Sequence, residues 1–265
     1  MSAEPQGLLT VKAGGRAVEA SFGNLLAAGF GCVLTCALSK RESKRVRTFA
    51  GAGFLVRSRA GKARMFEMEA FILAGGASSR RGSDKARLRL GEQTFVERIA
   101  GALAPVALKV SVVSSRPDAG AWNMAVVPDV YAGCGTLGGL HAALFHSRSG
   151  WTAVVSCDLP FVTAELFRRL ASFVRDGVDA VAPLQADGFL QPLCALYARE
   201  KCLEMAEDLL RSGELRPREL LRRVCARLVL FEELSELEAS AHFFSNVNTP
   251  EDYARASAEA EKLGM

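Results

Sequence analysis

Between residues 71 and 91 the chain reads FILAGGASSRRGSDKARLRLG, an apolar run that breaks into glycines, serines and cations. Gly75 and Gly76 carry no Cβ, so backbone N–H groups there can approach an anion closely. Ser78 and Ser79 add hydroxyl donors, and Arg80, Arg81 and Lys85 bring positive charge that backbone dipoles alone could not supply. The chemistry this suits is the holding of a polyanion such as a phosphate chain. The loop contains neither G-K-[ST] nor G-x-G-x-x-G, so neither standard nucleotide fingerprint applies to it. A plain tight turn with solvated cations is the competing explanation.

Two aspartates follow apolar runs of their own. In VVSCDLPF, Asp158 ends one such run and Pro160 stiffens the chain behind it. A lone carboxylate in that position suits Mg²⁺, which takes one or two protein carboxylates and completes its shell with phosphate oxygens and water. Capping of the helix near Thr163 is the alternative, but Asp158 lies too far upstream for it. In VVPDV, Asp129 is placed to meet a base, a ribose or the metal, or simply to form a turn. Cys32 and Cys36 are too isolated for a zinc site. His141, His146 and His242 show no metal-ligand spacing.

The elements that must position these residues alternate regularly from residue 68 onward. Strands are expected at 70–74, 109–114, 125–128, 152–157, 178–183, 192–197 and 228–231. Helices are expected at 94–103, 137–146, 163–175, 199–211 and 218–227, with a last one starting at Pro250. Thr163 and Thr249 are the expected N-caps, and Pro250 suits the first helical position. This order predicts an α/β fold, a mainly parallel Rossmann-like sheet with helices on both faces. In such sheets ligands gather at the carboxyl ends of the strands. Gly75, Asp129 and Asp158 all fall just beyond expected strand ends.

Composition bounds the rest. The 265 residues are 49% apolar and 23% charged, as in an ordinary soluble protein. The net charge of +4 is unevenly shared: residues 1–67 hold eleven Lys/Arg against four Glu, a net of +7, which leaves −3 for residues 68–265. A general nucleic-acid surface is therefore not indicated, and a basic arm that grips DNA is a minor alternative. Seven cysteines without a C-x-x-C pair read as reduced thiols of a cytoplasmic protein. The apolar stretch LLAAGFGCVLTCAL is too short to span a bilayer, and SKRESKR follows where a cleavage site would be expected. Residues 1–67 are expected to be a basic leader, a flexible arm or upstream sequence from a misplaced start codon rather than a small appended module.

LAGGASSRRGSDK resembles the signature loop of the MobA-like nucleotidyltransferases, and most of all the molybdenum cofactor guanylyltransferases, whose pattern runs L-A-G-G-x-S-x-R-M-G-x-D-K. The resemblance continues in order through VVPDV, GTLGGLHAAL, CDLPF, QPLCALY and FFSNVNTPEDY, over residues 68–255. It implies a nucleotide-diphospho-sugar-transferase-like domain at 68–265 that moves GMP from GTP onto the terminal phosphate of molybdopterin with Mg²⁺. It also implies that Leu73, Ala74, Gly75, Gly76 and Asp129 contact the nucleotide, that Lys85 and Arg80 hold its phosphates, that Asp158 carries the metal, and that Asn246 and Asn248 line the pterin side. Molybdoenzymes or their cofactor-insertion chaperones would be partners, with no membrane and no nucleic acid. Three departures stand out: Arg81 replaces a methionine, Thr136 replaces the proline of G-P-L-x-G, and a family asparagine is missing near Val113 or Ser114. The last leaves open cytidylyl transfer onto the same pterin or onto a sugar or polyol phosphate. A non-catalytic module that delivers the cofactor or a nucleotide is the alternative of another class.

Overall fold

A continuous apolar strand needs cover on both faces, and the layers around residues 68–73 supply it. A computed structural model describes the backbone of residues 8–13, 16–21, 54–57 and 63–65, and all atoms of 66–75, 87–115 and 122–264. Within residues 1–36, which cluster as a unit of their own, β1 (Leu8–Ala13) and β2 (Arg16–Ser21) pair as an antiparallel hairpin. Everything else described belongs to the second unit, residues 37–265. It opens with the hairpin β3 (Phe54–Arg57) and β4 (Ala63–Phe66). Next come β5 (Met68–Leu73), the short hairpin β6 (Arg89–Leu90) and β7 (Gln93–Thr94), and α1 (Phe95–Leu103). After these run β8 (Val110–Val113), β9 (Ala125–Val127), α2 (Gly135–His146), β10 (Trp151–Ser156), α3 (Ala164–Ala171) and β11 (Ala180–Leu184). The chain closes with β12 (Cys194–Ala198), α4 (Arg199–Arg211), α5 (Pro217–Arg223), β13 (Ala226–Leu230) and α6 (Pro250–Lys262).

Seven strands form one sheet in the order β13-β11-β12-β10-β5-β8-β9. Only β12 runs against the others, pairing antiparallel with β10 and β11. The mainly parallel sheet expected from the sequence is thus the one the chain forms. Alternation along each strand assigns the two faces. Met68, Ala70 and Ile72 of β5, with Ala153 and Val155 of β10, point toward α1 and α3. Phe71, Leu73 and Val154 point the other way, toward α2, α4 and α5. Phe66, two residues before the start of the expected domain, is buried in the first of these layers and tilts against the Trp151 ring at 6.0 Å.

Two helices stop short of expectation, the first for a local reason and the second for a tertiary one. α3 ends at Ala171 rather than 175, because Phe173 and Val174 donate to carbonyls three residues back, on Leu170 and Ala171. Those tight turns, with Gly177 at φ +80°, swing the chain into β11. α5 ends at Arg223 rather than 227. The Cys225 N–H donates to Asp179 Oδ2 at 3.0 Å and the Asp179 N–H to the Cys225 carbonyl at 2.8 Å, which draws 225 and 226 into the sheet.

A third apolar cluster braces the end of the sheet. Leu90, Phe95, Phe161, Val247, Ala256 and Ala260 are buried together, and the Tyr253 ring stacks on Phe95. The Tyr253 hydroxyl donates to the Arg89 carbonyl at 2.8 Å, across 164 residues of chain. α6 is locally specified: Thr249 and Asp252 form a reciprocal capping box, and Pro250 occupies the first turn.

Candidate functional site

Parallel pairing makes neighbouring strands end in step. Ser156, Leu73, Val113 and Val127 stand side by side across β10, β5, β8 and β9. One residue further on the ladder still holds: Cys157 N–H donates to the Leu73 carbonyl, Ala74 to Val113 and Ser114 to Val127, at 2.9–3.1 Å. The next residue on each strand is the first beyond the ladder, and these are Asp158, Gly75, Ser115 and Asp129. At the ordinary strand spacing this row is about 14 Å wide. It places Leu73, Ala74, Gly75, Asp129 and Asp158 of the expected site on one sheet edge. Gly76, Arg80 and Lys85 lie outside the described residues, as does Arg81.

At one end of the row Asp129 is fixed from several sides. The Ser115 hydroxyl donates to Asp129 Oδ2 at 2.9 Å, and the Asp129 N–H donates back to Ser115 Oγ at 3.2 Å. The carboxylate leans over two glycines. A Cβ on Gly75 would stand 3.9 Å from Oδ2. A Cβ on Gly139 would stand 3.9 Å from Oδ1 and 3.5 Å from Leu73 Cδ1. Gly139 belongs to α2, whose N-cap Cys134 makes no side-chain capping bond, so the positive end of that helix lies on Asp129's side of the site. The turn into α2 depends on φ +76° at Gly133 and +58° at Gly135, values that tolerate little but glycine. Thr136 therefore sits inside the first helical turn, and the absent proline leaves no gap in the backbone there.

At the other end, Asp158 is held by its backbone alone. Its carbonyl accepts the Val247 N–H at 3.0 Å, while its side-chain oxygen Oδ1 is buried with no hydrogen-bond partner. Helix capping does not occupy it, because Thr163 accepts the Leu166 N–H at 3.3 Å and caps α3 itself. A buried carboxylate oxygen without a donor fits a bound cation. Among the described residues no group of three or more His, Cys, Asp or Glu gathers as a metal cage. A single carboxylate that shares the ion with phosphate and water matches the coordination habit of Mg²⁺.

The Val247 bond also brings in Asn246 and Asn248, both exposed, on either side of the buried Val247. The Asn248 N–H donates to Asp252 Oδ2 at 3.0 Å. That bond, with those from Thr249, holds the Asp252 carboxyl below the usual carboxylate range.

Ser115 is the residue that sequence reasoning missed. The missing asparagine is expected near Val113 or Ser114, but Val113 is packed in the core and Ser114 is buried. The next residue is the one that meets Asp129. Counting Ser115 as the position after the strand, as Gly75 is for β5, would have found it. Gly133, Gly135 and Gly138 spell G-x-G-x-x-G from the turn after β9 into the first turn of α2. The histidines stay outside this chemistry. His141 is fully buried against Tyr131, His146 contacts the Pro128 carbonyl, and His242 lies 3.1 Å from Glu259.

Residues 70–229 match the family model of the MobA-like NTP transferase domain. A probable molybdenum cofactor guanylyltransferase of Pelotomaculum thermopropionicum is 35% identical over 198 residues, 74% of this chain and 95% of the relative. The molybdenum cofactor guanylyltransferase of Desulfosudis oleivorans is 30% identical over 71% of this chain and 93% of its own. Among solved structures, molybdopterin-guanine dinucleotide biosynthesis protein A from Archaeoglobus fulgidus superposes with a TM-score of 0.64 at 26% identity. It is matched over its whole length and over 74% of this chain.

Proposed function

The chain belongs to the MobA-like NTP transferase domain family, and we propose from this that it is a molybdenum cofactor guanylyltransferase. It would transfer GMP from GTP to the terminal phosphate of molybdopterin and release pyrophosphate. The observation that carries this reading is the row of Gly75, Ser115 and Asp129 ending at Asp158, with its buried oxygen lacking a donor. The same reading makes residues 68–265 the transferase domain, residues 1–67 an appended basic leader, and the protein cytoplasmic. Among the described residues no helix is long and apolar enough to cross a membrane. Molybdoenzymes or the chaperones that load them would receive the product.

In this mechanism Leu73, Ala74 and Gly75 meet the guanine nucleotide at the end of β5. Asp129 accepts hydrogen bonds from it, and Gly76, Arg80 and Lys85 take the triphosphate. The incoming phosphate has a second pKa of about 6. It is ionised at neutral pH, so no general base is needed, in keeping with histidines engaged elsewhere. What the reaction does require is relief of repulsion between two anions and stabilisation of the departing pyrophosphate. Lys85, Arg80 and the positive end of α2 would supply it by position and charge. Asp158 would hold Mg²⁺, which when bound offsets the charge on phosphate oxygens. Asn246 and Asn248, tethered beside Asp158 through Val247, would line the pterin side.

The test is pyrophosphate release from GTP with Mg²⁺, with and without molybdopterin, on the full chain and on one beginning ahead of Phe66. Release that depends on the pterin and on GTP, with CTP, ATP and UTP ineffective, is the expected result. Preference for CTP would move the assignment to a cytidylyltransferase. No release with any nucleotide would leave a delivery module.

A further inference from the structure

Ser115 is exposed at the mouth of the site, yet its hydroxyl is engaged twice by one residue, donating to Asp129 Oδ2 at 2.9 Å and accepting from the Asp129 N–H at 3.2 Å. The geometry points to Ser115 as a positioning residue that sets which carboxylate oxygen Asp129 presents to the nucleotide. This rests on the function proposed above and adds a role that the family pattern, with its asparagine, does not supply for this chain.

A free Asp side chain turns about two bonds, and its carboxylate oxygens are equivalent until something distinguishes them. Ser115 does so by engaging Oδ2. Oδ1 is then turned toward Gly139, where a Cβ would stand 3.9 Å away. Among the described residues, two that lie beside the carboxylate oxygens, at 75 and 139, are glycines, so neither puts a side chain against them. The hydroxyl is also fixed in direction, since its one proton is spent on Oδ2 while a lone pair receives the N–H. A carboxylate held in this way presents a directed acceptor to N–H or O–H donors of a nucleotide, with little freedom lost on binding. Ser115 itself need touch neither the substrate nor the reacting phosphorus.

The experiment follows pyrophosphate release at saturating pterin with GTP varied, on the full chain and on Ser115→Ala, Ser115→Thr, Asp129→Ala and the Ser115→Ala/Asp129→Ala double variant. Ser115→Ala should raise KM for GTP about fivefold, the size of one hydrogen bond to a charged group shared with solvent, with kcat within about twofold. Ser115→Thr keeps the hydroxyl on an exposed loop position and should return KM to within about twofold of the parent. In the Asp129→Ala background the Ser115 substitution should add nothing, because the residue through which it acts is gone.

An unchanged KM in Ser115→Ala, or a threonine variant no better than alanine, overturns the inference. So does the same fivefold loss with Asp129 already removed, or a fall in kcat matched by a fall in melting temperature. Each of these leaves the transferase reading standing, because the parent still releases pyrophosphate. A parent chain inert toward GTP removes both.

Discussion

The two carboxylates at the ends of the row are held in opposite ways. Asp129 has its side chain engaged by Ser115 and its backbone N–H returned to the same hydroxyl. Asp158 has its backbone engaged by Val247 and a side-chain oxygen buried without a donor. Among the described residues, one carboxylate has a side-chain partner and the other keeps a buried oxygen without a donor. On the proposed function, the difference teaches how a fold would separate recognition from charge compensation: an acceptor for donors is set in advance, while a carboxylate oxygen is left without a donor for a cation to meet.

The sharpest test of that contrast is Asp158→Asn. Loss of the charge should lower kcat by about 10²–10³, the scale of removing one preorganised electrostatic group. The same change should leave the melting temperature level or raised, since it neutralises a side chain whose buried oxygen has no donor. Chelation of divalent ions should stop the parent equally and reversibly, with no change in circular dichroism. A variant that melts earlier, or keeps parental turnover, would erase the distinction between the two ends.

Asp129→Ala comes next. It should raise KM for GTP about 10- to 100-fold, as expected for hydrogen bonds to a charged group, and it should lower stability where Asp158→Asn does not. Urea denaturation of both variants side by side reads that difference in sign. A smaller loss, about 1 kcal/mol, is expected for Thr249→Ala, which removes the cap that orders the chain carrying Val247 to Asp158. Equilibrium unfolding measures it.

The smallest effect is a pH slope on the Asp129 side. Burial pushes the His141 imidazole below its ordinary value of 6.5, with the Glu207 carboxylate opposing and Arg211 and His146 adding to the fall. The folded chain therefore favours neutral His141. As pH drops below 6.5 the unfolded chain takes up the proton first and stability declines. Above that value both states are neutral and this slope vanishes. Unfolding free energies at roughly pH 5.5 and pH 7.5 should show the decline in the parent, and His141→Gln should lose this part of it.

How far the sequence foretold all this follows from the range of each interaction. β5 and β10 could be read because their apolar runs need two covered faces. α3 and α6 could be read because Thr163 and Thr249 bond within three residues. The hairpin of β6 and β7 was missed, since Arg89 to Thr94 is mostly polar and its one buried side chain, Leu90, belongs to a cluster finished by α6. The early end of α5 came from sheet pairing that local propensity cannot register, and that of α3 from tight turns beyond Ala171. At the site, residue types announced Gly75, Asp129 and Asp158, but not how they are held. Ser115 meets Asp129 across 14 residues, and the Val247–Asp158 bond joins the third cluster to the row across a longer gap still. Such contacts exist only once the sheet has aligned its strand ends.

The Val247–Asp158 tether has a consequence for the order of events during synthesis. A nascent chain can pair β5, β8, β9 and β10 once residue 158 has emerged from the ribosome, yet the Asp158 carbonyl then lacks its native partner Val247. Until Val247 and Tyr253 have followed, neither that carbonyl nor the Arg89 carbonyl has its native partner. Translation thus delivers the bracing of the Asp158 corner last, and a chain stalled short of α6 would carry its sheet without the contacts of Tyr253.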